Sequence, residues 1–174
     1  VTYRADGGLY QSDTYNYGDT IVVPADPDAE TGYTFTGWED EDGKSPEDYG
    51  TMPANDLVFI AQFERNEHTV TFIVDGEEYD VITDVYGSDI TAPVPTKDNS
   101  TFDGWYSDAE CTTAADVPAT MPDDDLTFYG KFTADTYKVT YLVQGAEYFT
   151  QDGIEVGATV PTPADDPAVE GYNF

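Results

Sequence analysis

Thr69-Val70-Thr71-Phe72-Ile73-Val74, followed by Asp75-Gly76, is the stretch on which the fold turns. The run is rich in β-branched and aromatic residues, and a two-residue pleat puts Val70, Phe72 and Val74 on one face. Asp-Gly between two such runs is a strong short-range hairpin signal. Tyr79 to Val85 reads as the return strand, ending at Tyr86-Gly87. No stretch holds apolar residues at three-and-four spacing over three turns, and 15 Gly and 11 Pro interrupt the chain. The chain therefore reads as β throughout.

The same pattern returns with a period of 69 residues. Val1-Thr2-Tyr3 recurs as Val70-Thr71-Phe72 and as Val139-Thr140-Tyr141. Gly7 to Tyr10 recurs as Gly76 to Tyr79 and Gly145 to Tyr148; Tyr17-Gly18 becomes Tyr86-Gly87, and Met52-Pro53 becomes Met121-Pro122. Tandem copies of a small unit divide the chain into 1–68, 69–137 and a third unit, 138–174, that stops halfway. Its last residues, Gly171-Tyr172-Asn173-Phe174, match Gly32-Tyr33-Thr34-Phe35, so both ends read as cuts from a longer protein. Units of this size form one marginal core each.

Within a unit, the hairpin leads into an extended stretch marked by prolines, Ile21 to Pro24, Ile90 to Pro95 or Val160 to Pro163. Proline confines such a stretch to an edge or a loop. A third strand carries Tyr33-Thr34-Phe35-Thr36-Gly37-Trp38, and the pleat predicts Phe35 and Gly37 on one face with Thr36 and Trp38 on the other. After an acidic loop and Thr-Met-Pro, Leu57, Phe59, Ala61 and Phe63 alternate with Val58, Ile60 and Gln62, which marks a core face. Any helix is short, with Ala114 to Val117 as its predicted place.

Gly32-Tyr33-Thr34-Phe35-Thr36-Gly37-Trp38, Met52-Pro53-Ala54-Asn55-Asp56-Leu57 and Ala61-Gln62-Phe63 together resemble the Listeria–Bacteroides repeat, also called the internalin B-repeat. The frame reappears as Thr101 to Tyr106, Met121 to Leu126 and Gly130-Lys131-Phe132, where Asn99-Ser100-Thr101 replaces Gly-Tyr ahead of Phe102. The resemblance implies mostly β, or α+β, modules: small β-grasp-like units strung like beads. It also implies an extracellular setting, on secreted or wall-attached proteins of the bacterial cell surface.

Charge excludes one class of function. Acidic residues outnumber basic ones 36 to 6, a net charge of −30 spread over all three units. Such a surface repels nucleic-acid phosphate and anionic lipid heads. The single cysteine, Cys111, permits no internal disulfide, and no run of 18 apolar residues suggests a membrane span.

The candidate sites are few. Trp38 and Trp105 invite a sugar-stacking role, but one tryptophan per unit in matching register reads first as a core anchor. Most tyrosines recur in register; Tyr15, Tyr17 and Tyr49 lack full sets of copies and are candidates for exposure. Glu39-Asp40-Glu41-Asp42-Gly43 has the alternating acids of a calcium loop without its closing ligand or flanking helices. Calcium is therefore the one cofactor to consider, with Asp40 and Asp42 as first ligands and Asp123, Asp124 and Asp125 as second; a solvated acidic face is the plainer reading. His68 sits at the junction between units and reads as a linker residue. Cys111 follows Asp108-Ala109-Glu110 and has no histidine partner, so nothing marks a nucleophile, and no motif of an enzyme is present. A shared lysine cross-link is not expected from Lys44, Lys97, Lys131 and Lys138, because only Lys131 lies in a core-forming strand and Gln62 stands in its place in the first unit.

Two functions follow as expectations: a stalk or spacer whose partners are neighbouring repeats, and an adhesive module touching a host protein or glycan through exposed aromatics or a sheet edge. If the repeats fold separately, a chain lacking 138–174 keeps the cooperative urea-unfolding transition of the first two units. Loss of that transition would refute separate folding.

Overall fold

The computed structural model describes residues 1–171. Ten strands and one helical turn follow in chain order: β1 Thr2–Ala5, β2 Gly8–Ser12, β3 Tyr33–Glu39, α1 Pro46–Tyr49, β4 Val58–Arg65, β5 Glu67–Val74, β6 Glu77–Val85, β7 Ser100–Tyr106, β8 Leu126–Ala134, β9 Thr136–Val143 and β10 Ala146–Glu155. They form three small sheets in tandem, ordered β2-β1-β4-β3, β6-β5-β8-β7 and β10-β9. By proximity the chain divides into two compact units: one holds Val1–Val70, Val81–Thr91 and Pro118–Leu126, the other Thr71–Asp80, Ala92–Val117 and the chain from Thr127 onward. The reading of Tyr172-Asn173-Phe174 as a repeat of Tyr33-Thr34-Phe35 lies outside the described residues.

The hairpin turns are where the sequence places them. Asp6-Gly7, Asp75-Gly76 and Gln144-Gly145 each turn on two residues of positive φ, 50° and 74°, 53° and 84°, 49° and 84°. Positive φ at both central residues is the primed turn whose twist suits two antiparallel strands. In the first sheet the hairpin is completed by β4, which runs parallel to β1 with Tyr3 opposite Phe59 and antiparallel to β3.

This pairing assembles the core. Val1, Tyr3, Ile21, Trp38, Met52, Leu57 and Phe59 form one buried cluster. The alternation of β4 holds: Leu57 and Phe59 are buried while Val58 and Ile60 face outward. The Tyr3 ring stacks on Phe59 at 5.5 Å and meets Trp38 edge-on at 5.0 Å. In the second compact unit, Phe72 takes the same part, 4.8 Å from Trp105 and 5.9 Å from Phe128. Both tryptophans are core residues.

The simple pleat fails at β3. The β3–β4 register runs Phe35 to Phe63, then Gly37 to Gln62 and Trp38 to Ala61, so Thr36 is an extra residue in a bulge. The bulge turns Phe35 and Trp38 to the same side, with their rings 5.5 Å apart, where strict alternation separates them. Gly37 has φ 149° and Gly104, at the same step of β7, has φ 125°. No heavy atom lies within 4 Å of a Cβ built at either position, so backbone conformation and not space calls for glycine.

The helix expectation is corrected in place. The single turn is α1, opened by Ser45, whose N–H donates to the Asp48 carboxylate at 2.9 Å, with Pro46 in the first turn. Ala114 to Val117 is extended: Ala114 bridges Tyr106, and Ala115 N–H donates to the Trp105 carbonyl at 3.0 Å. Backbone donors committed to a neighbouring strand are lost to a helix, and Pro118 follows. The proline-marked stretches belong to no strand, and those of the first two repeats follow the bridges Thr20–Thr51 and Asp89–Thr120.

In the third repeat the described residues form one hairpin. Val139 and Tyr141, the matches of buried Val1 and Tyr3, are only half-buried, and Leu142 is exposed. No strand equivalent to β4 covers that face among the described residues. Replacing Gly37 with alanine should cost about 1–3 kcal/mol, because the bulge then holds an L-residue in a sparsely populated conformation. Urea unfolding measures it; an unchanged midpoint would show that the bulge tolerates a side chain.

Candidate functional site: the joint at Gly32, Asn66 and Tyr86

The residues that link one repeat to the next lie together within the first compact unit. Asn66 is the pivot between β4 and β5. Its N–H donates to the Gly32 carbonyl at 2.9 Å, and its own carbonyl accepts the Tyr86 N–H at 2.7 Å. Its side-chain oxygen accepts the Thr34 hydroxyl at 2.6 Å. One residue thus ties the start of β3 to the end of the β6 hairpin.

Asp123 closes the joint from the other side. One carboxylate oxygen accepts Gly32 N–H at 2.9 Å; the other takes the Asn66 side-chain amide at 2.8 Å and lies 3.1 Å from His68 Nε2. Hydrogen bonds from Asn66, then His68, with a further one from Gly32 N–H, hold its pKa below the ordinary carboxylate value. Asp125 accepts Thr69 N–H at 2.8 Å and lies 3.4 Å from His68 Nδ1, so the imidazole stands between two carboxylates. Bonds from fixed backbone donors to a carboxylate are stronger than neutral ones.

Tyr86 supplies the packing. Its ring lies so close over Gly32 that a Cβ there would come 2.0 Å from ring carbon Cδ1. Gly32 has φ 80°, a conformation that favours glycine, and the ring leaves no space for a side chain. Tyr33 meets the Tyr86 ring edge-on at 6.3 Å, and Arg65 donates to the Tyr86 carbonyl at 3.3 Å.

The structure redistributes the acidic candidates. Asp40 folds its own loop: one oxygen accepts the N–H groups of Asp42 and Lys44, both at 2.9 Å, and the other accepts the Tyr49 hydroxyl at 2.5 Å. That last bond lowers the Asp40 pKa and pushes the Tyr49 hydroxyl up to about 12. Asp42 and Asp124 are exposed. Asp123 and Asp125 are brought together by His68, and Asp40 and Asp42 by their own turn. Among the described residues no three His, Cys, Asp or Glu side chains group as metal ligands.

The remaining candidates scatter. Tyr15 bonds Val22 through its hydroxyl, Tyr49 bonds Asp40, and Tyr17 alone of the three stands free, 81% exposed. Cys111 sits in a loop fastened by Asp108, whose carboxylate accepts the N–H groups of Thr112 and Thr113 at 3.0 and 2.7 Å. Lys131 lies over the Tyr106 ring, and Lys97 forms an exposed ion pair with Asp75 at 2.8 Å.

The joint was hidden from a reading that followed the repeat. Asp123 stands where the first repeat has Ala54, and Gly32 where the second has Asn99. His68, read as a linker, is a joint residue. The available signal was departure from the repeat at positions close to a unit boundary.

Comparison with known proteins agrees with this architecture. Residues 1–67 match the family described as the divergent InlB B-repeat domain, and residues 68–131 match the Listeria-Bacteroides repeat domain. The chain is 31% identical over 179 aligned residues to a protein of Evansella cellulosilytica described as a Gly-rich membrane protein, covering all of this chain and 20% of that one. It is 40% identical over 132 residues to Internalin H of Listeria monocytogenes, covering 72% of this chain and 24% of that protein. The chain thus spans about a fifth to a quarter of the curated relatives it matches.

Gly32→Ala should destabilise the first two repeats by about 1–3 kcal/mol, since the new methyl group must displace the Tyr86 ring. In a Tyr86→Ala background the penalty should fall to about 1 kcal/mol, the backbone part alone. Equal penalties in a urea-unfolding double-mutant cycle would separate Gly32 from Tyr86. Because the Asp123 pKa is lowered on folding, its stabilisation is present above the unfolded carboxylate value of about 4 and fades as pH falls through the lower folded value. Asp123→Asn should therefore lower the neutral-pH midpoint and remove part of the acid sensitivity; a parallel pH profile would contradict this.

Proposed function

Because this chain belongs to the Listeria–Bacteroides repeat family, we propose that it is a segment of a spacer array in a bacterial cell-surface protein, holding a distal domain away from the cell. The joint is the observation that carries this reading. A chain whose modules were mere beads would connect them with a solvated linker. Here the connection is one residue between β4 and β5, hydrogen-bonded to Gly32 on one side and to Tyr86 on the other, with the Tyr86 ring lying over Gly32.

Other features support the same reading. The tryptophans that recur in register are spent on cores: Trp38 and Trp105 are buried, which leaves no stacking platform at those positions. The net charge of −30 discourages neighbouring arrays from sticking to one another. No helix among the described residues is long and apolar enough to cross a membrane, so on this reading any anchoring is done elsewhere in the protein. The partners of the segment are the repeats beside it.

Display on a bacterial surface tests this. A reporter domain fused beyond none, one or two of these repeats should become progressively more accessible to antibody-coated beads as repeats are added. The displayed repeats alone should bind neither host-cell glycans nor host surface proteins. Accessibility indifferent to repeat number, together with glycan or host-protein binding by the repeats, would replace the spacer with the adhesive reading.

A further inference from the structure

The joint described above has a second, open half on the first repeat. Tyr17-Gly18 is the register match of Tyr86-Gly87, and the two loops are held by the same bonds. Gly18 N–H donates to the Met52 carbonyl and Gly87 N–H to the Met121 carbonyl, both at 2.9 Å. Met52 N–H donates to Asp19 and Met121 N–H to Ser88, both at 2.8 Å. Gly18 and Gly87 have φ of 86° and 78°, and each loop ends in the same isolated bridge, Thr20–Thr51 or Asp89–Thr120. Tyr17 is therefore presented by the same local frame as Tyr86.

Their surroundings differ. Tyr86 lies on Gly32 and is half-buried; Tyr17 is 81% exposed, the most exposed large apolar side chain on the molecule among the described residues. In the same repeat as Tyr17, Asp56 holds the register position of Asp125, whose carboxylate accepts Thr69 N–H in the joint. Ala54 holds the position of Asp123. A face that keeps the ring, its supporting clamp and one of two carboxylates, with the partner missing, is the acceptor half of a known contact.

We propose that the Tyr17 face of the first repeat docks the Gly32–Asn66 end of a second copy of that repeat placed ahead of it. The occupant is specified by chemistry. It must offer glycine at positive φ beneath the tyrosine ring, as Gly32 does. A repeat of the second type offers Asn99, at φ 53°, where the matching Gly32 has room for no Cβ beneath the ring. Gly-Tyr ahead of Phe-x-Gly-Trp is thus a mark of repeats that accept a following Tyr-Gly loop, and Asn-Ser a mark of repeats that refuse it. This builds on the spacer reading in choosing a repeat as the partner, but it fails separately: the display experiment can fail while the contact forms, and the reverse.

The test is a fusion of residues 1–69 directly ahead of the full chain, the leading copy carrying Tyr17→Phe so that every Tyr17 signal comes from the following copy. Tetranitromethane nitration followed by peptide mapping reads the exposure of each tyrosine; buried Tyr3 reports the fold of both copies, and Tyr86 is the internal standard for a docked ring. Tyr17 should react quickly in the chain alone and about tenfold more slowly in the fusion. Gly32→Asn in the leading copy should restore fast nitration while Tyr3 stays protected, because Asn99 shows that the backbone at this place accepts asparagine. Ala54→Asp in the following copy, which supplies the missing carboxylate and leaves the leading copy untouched, should slow the reaction further. Nitration of Tyr17 at the same rate in the fusion and the single chain, or protection indifferent to both substitutions, overturns the proposal.

Discussion

The parallel pairing of β1 with β4 is the constraint on which the first repeat depends. A hairpin has one face to bury and nothing of its own to bury it against. β4 enters beside β1, lays Phe59 against Tyr3, and brings β3 with it as an antiparallel neighbour. Trp38 then reaches the core only because β3 bulges at Gly37. The third repeat shows the same hairpin without that partner: Tyr141 and Val139 keep the positions of Tyr3 and Val1 but lose their burial. Position in the repeat sets which face a side chain occupies, and the returning strand decides whether that face is a core.

The joint is a different kind of structure from the cores it connects. It is polar, and its strength comes from donors aimed at carboxylates in a chain with few cations. Asp123 is stabilised by an amide side chain, a backbone N–H and an imidazole, with neither lysine nor arginine among its partners. In an acidic surface such short-range bonds hold a connection without weakening the repulsion that keeps separate arrays apart. Gly32 is the one place in the joint where packing is strict, because the Tyr86 ring leaves no room for a methyl group.

Legibility in the sequence followed locality. Asp6-Gly7 and Asp75-Gly76 could be read as turns because two residues contain the whole requirement, a pair of positive φ values. The core face of β4 could be read because alternation needs only one strand. The bulge at Thr36 could not, since it is a mismatch in count between two strands distant in sequence. The sequence points to the wrong acidic loop for the helical turn. Its true start, Ser45-Pro46 with Asp48, had a local signal, whereas the backbone of Ala114 to Val117 was claimed by β7, which only the folded chain brings alongside.

By itself the amino-acid sequence determined the module: a period, hairpins, an aromatic core and an acidic exterior, each written in residues that recur. Tertiary structure alone decided how modules meet. Gly32, His68, Asp123 and Tyr86 are far apart along the chain, and each looked like an exception or a plain repeat position until folding set them within hydrogen-bond and van der Waals distance. The physical reason is that a core repeats whatever each unit must bury, while a joint depends on the residues by which two neighbouring units differ.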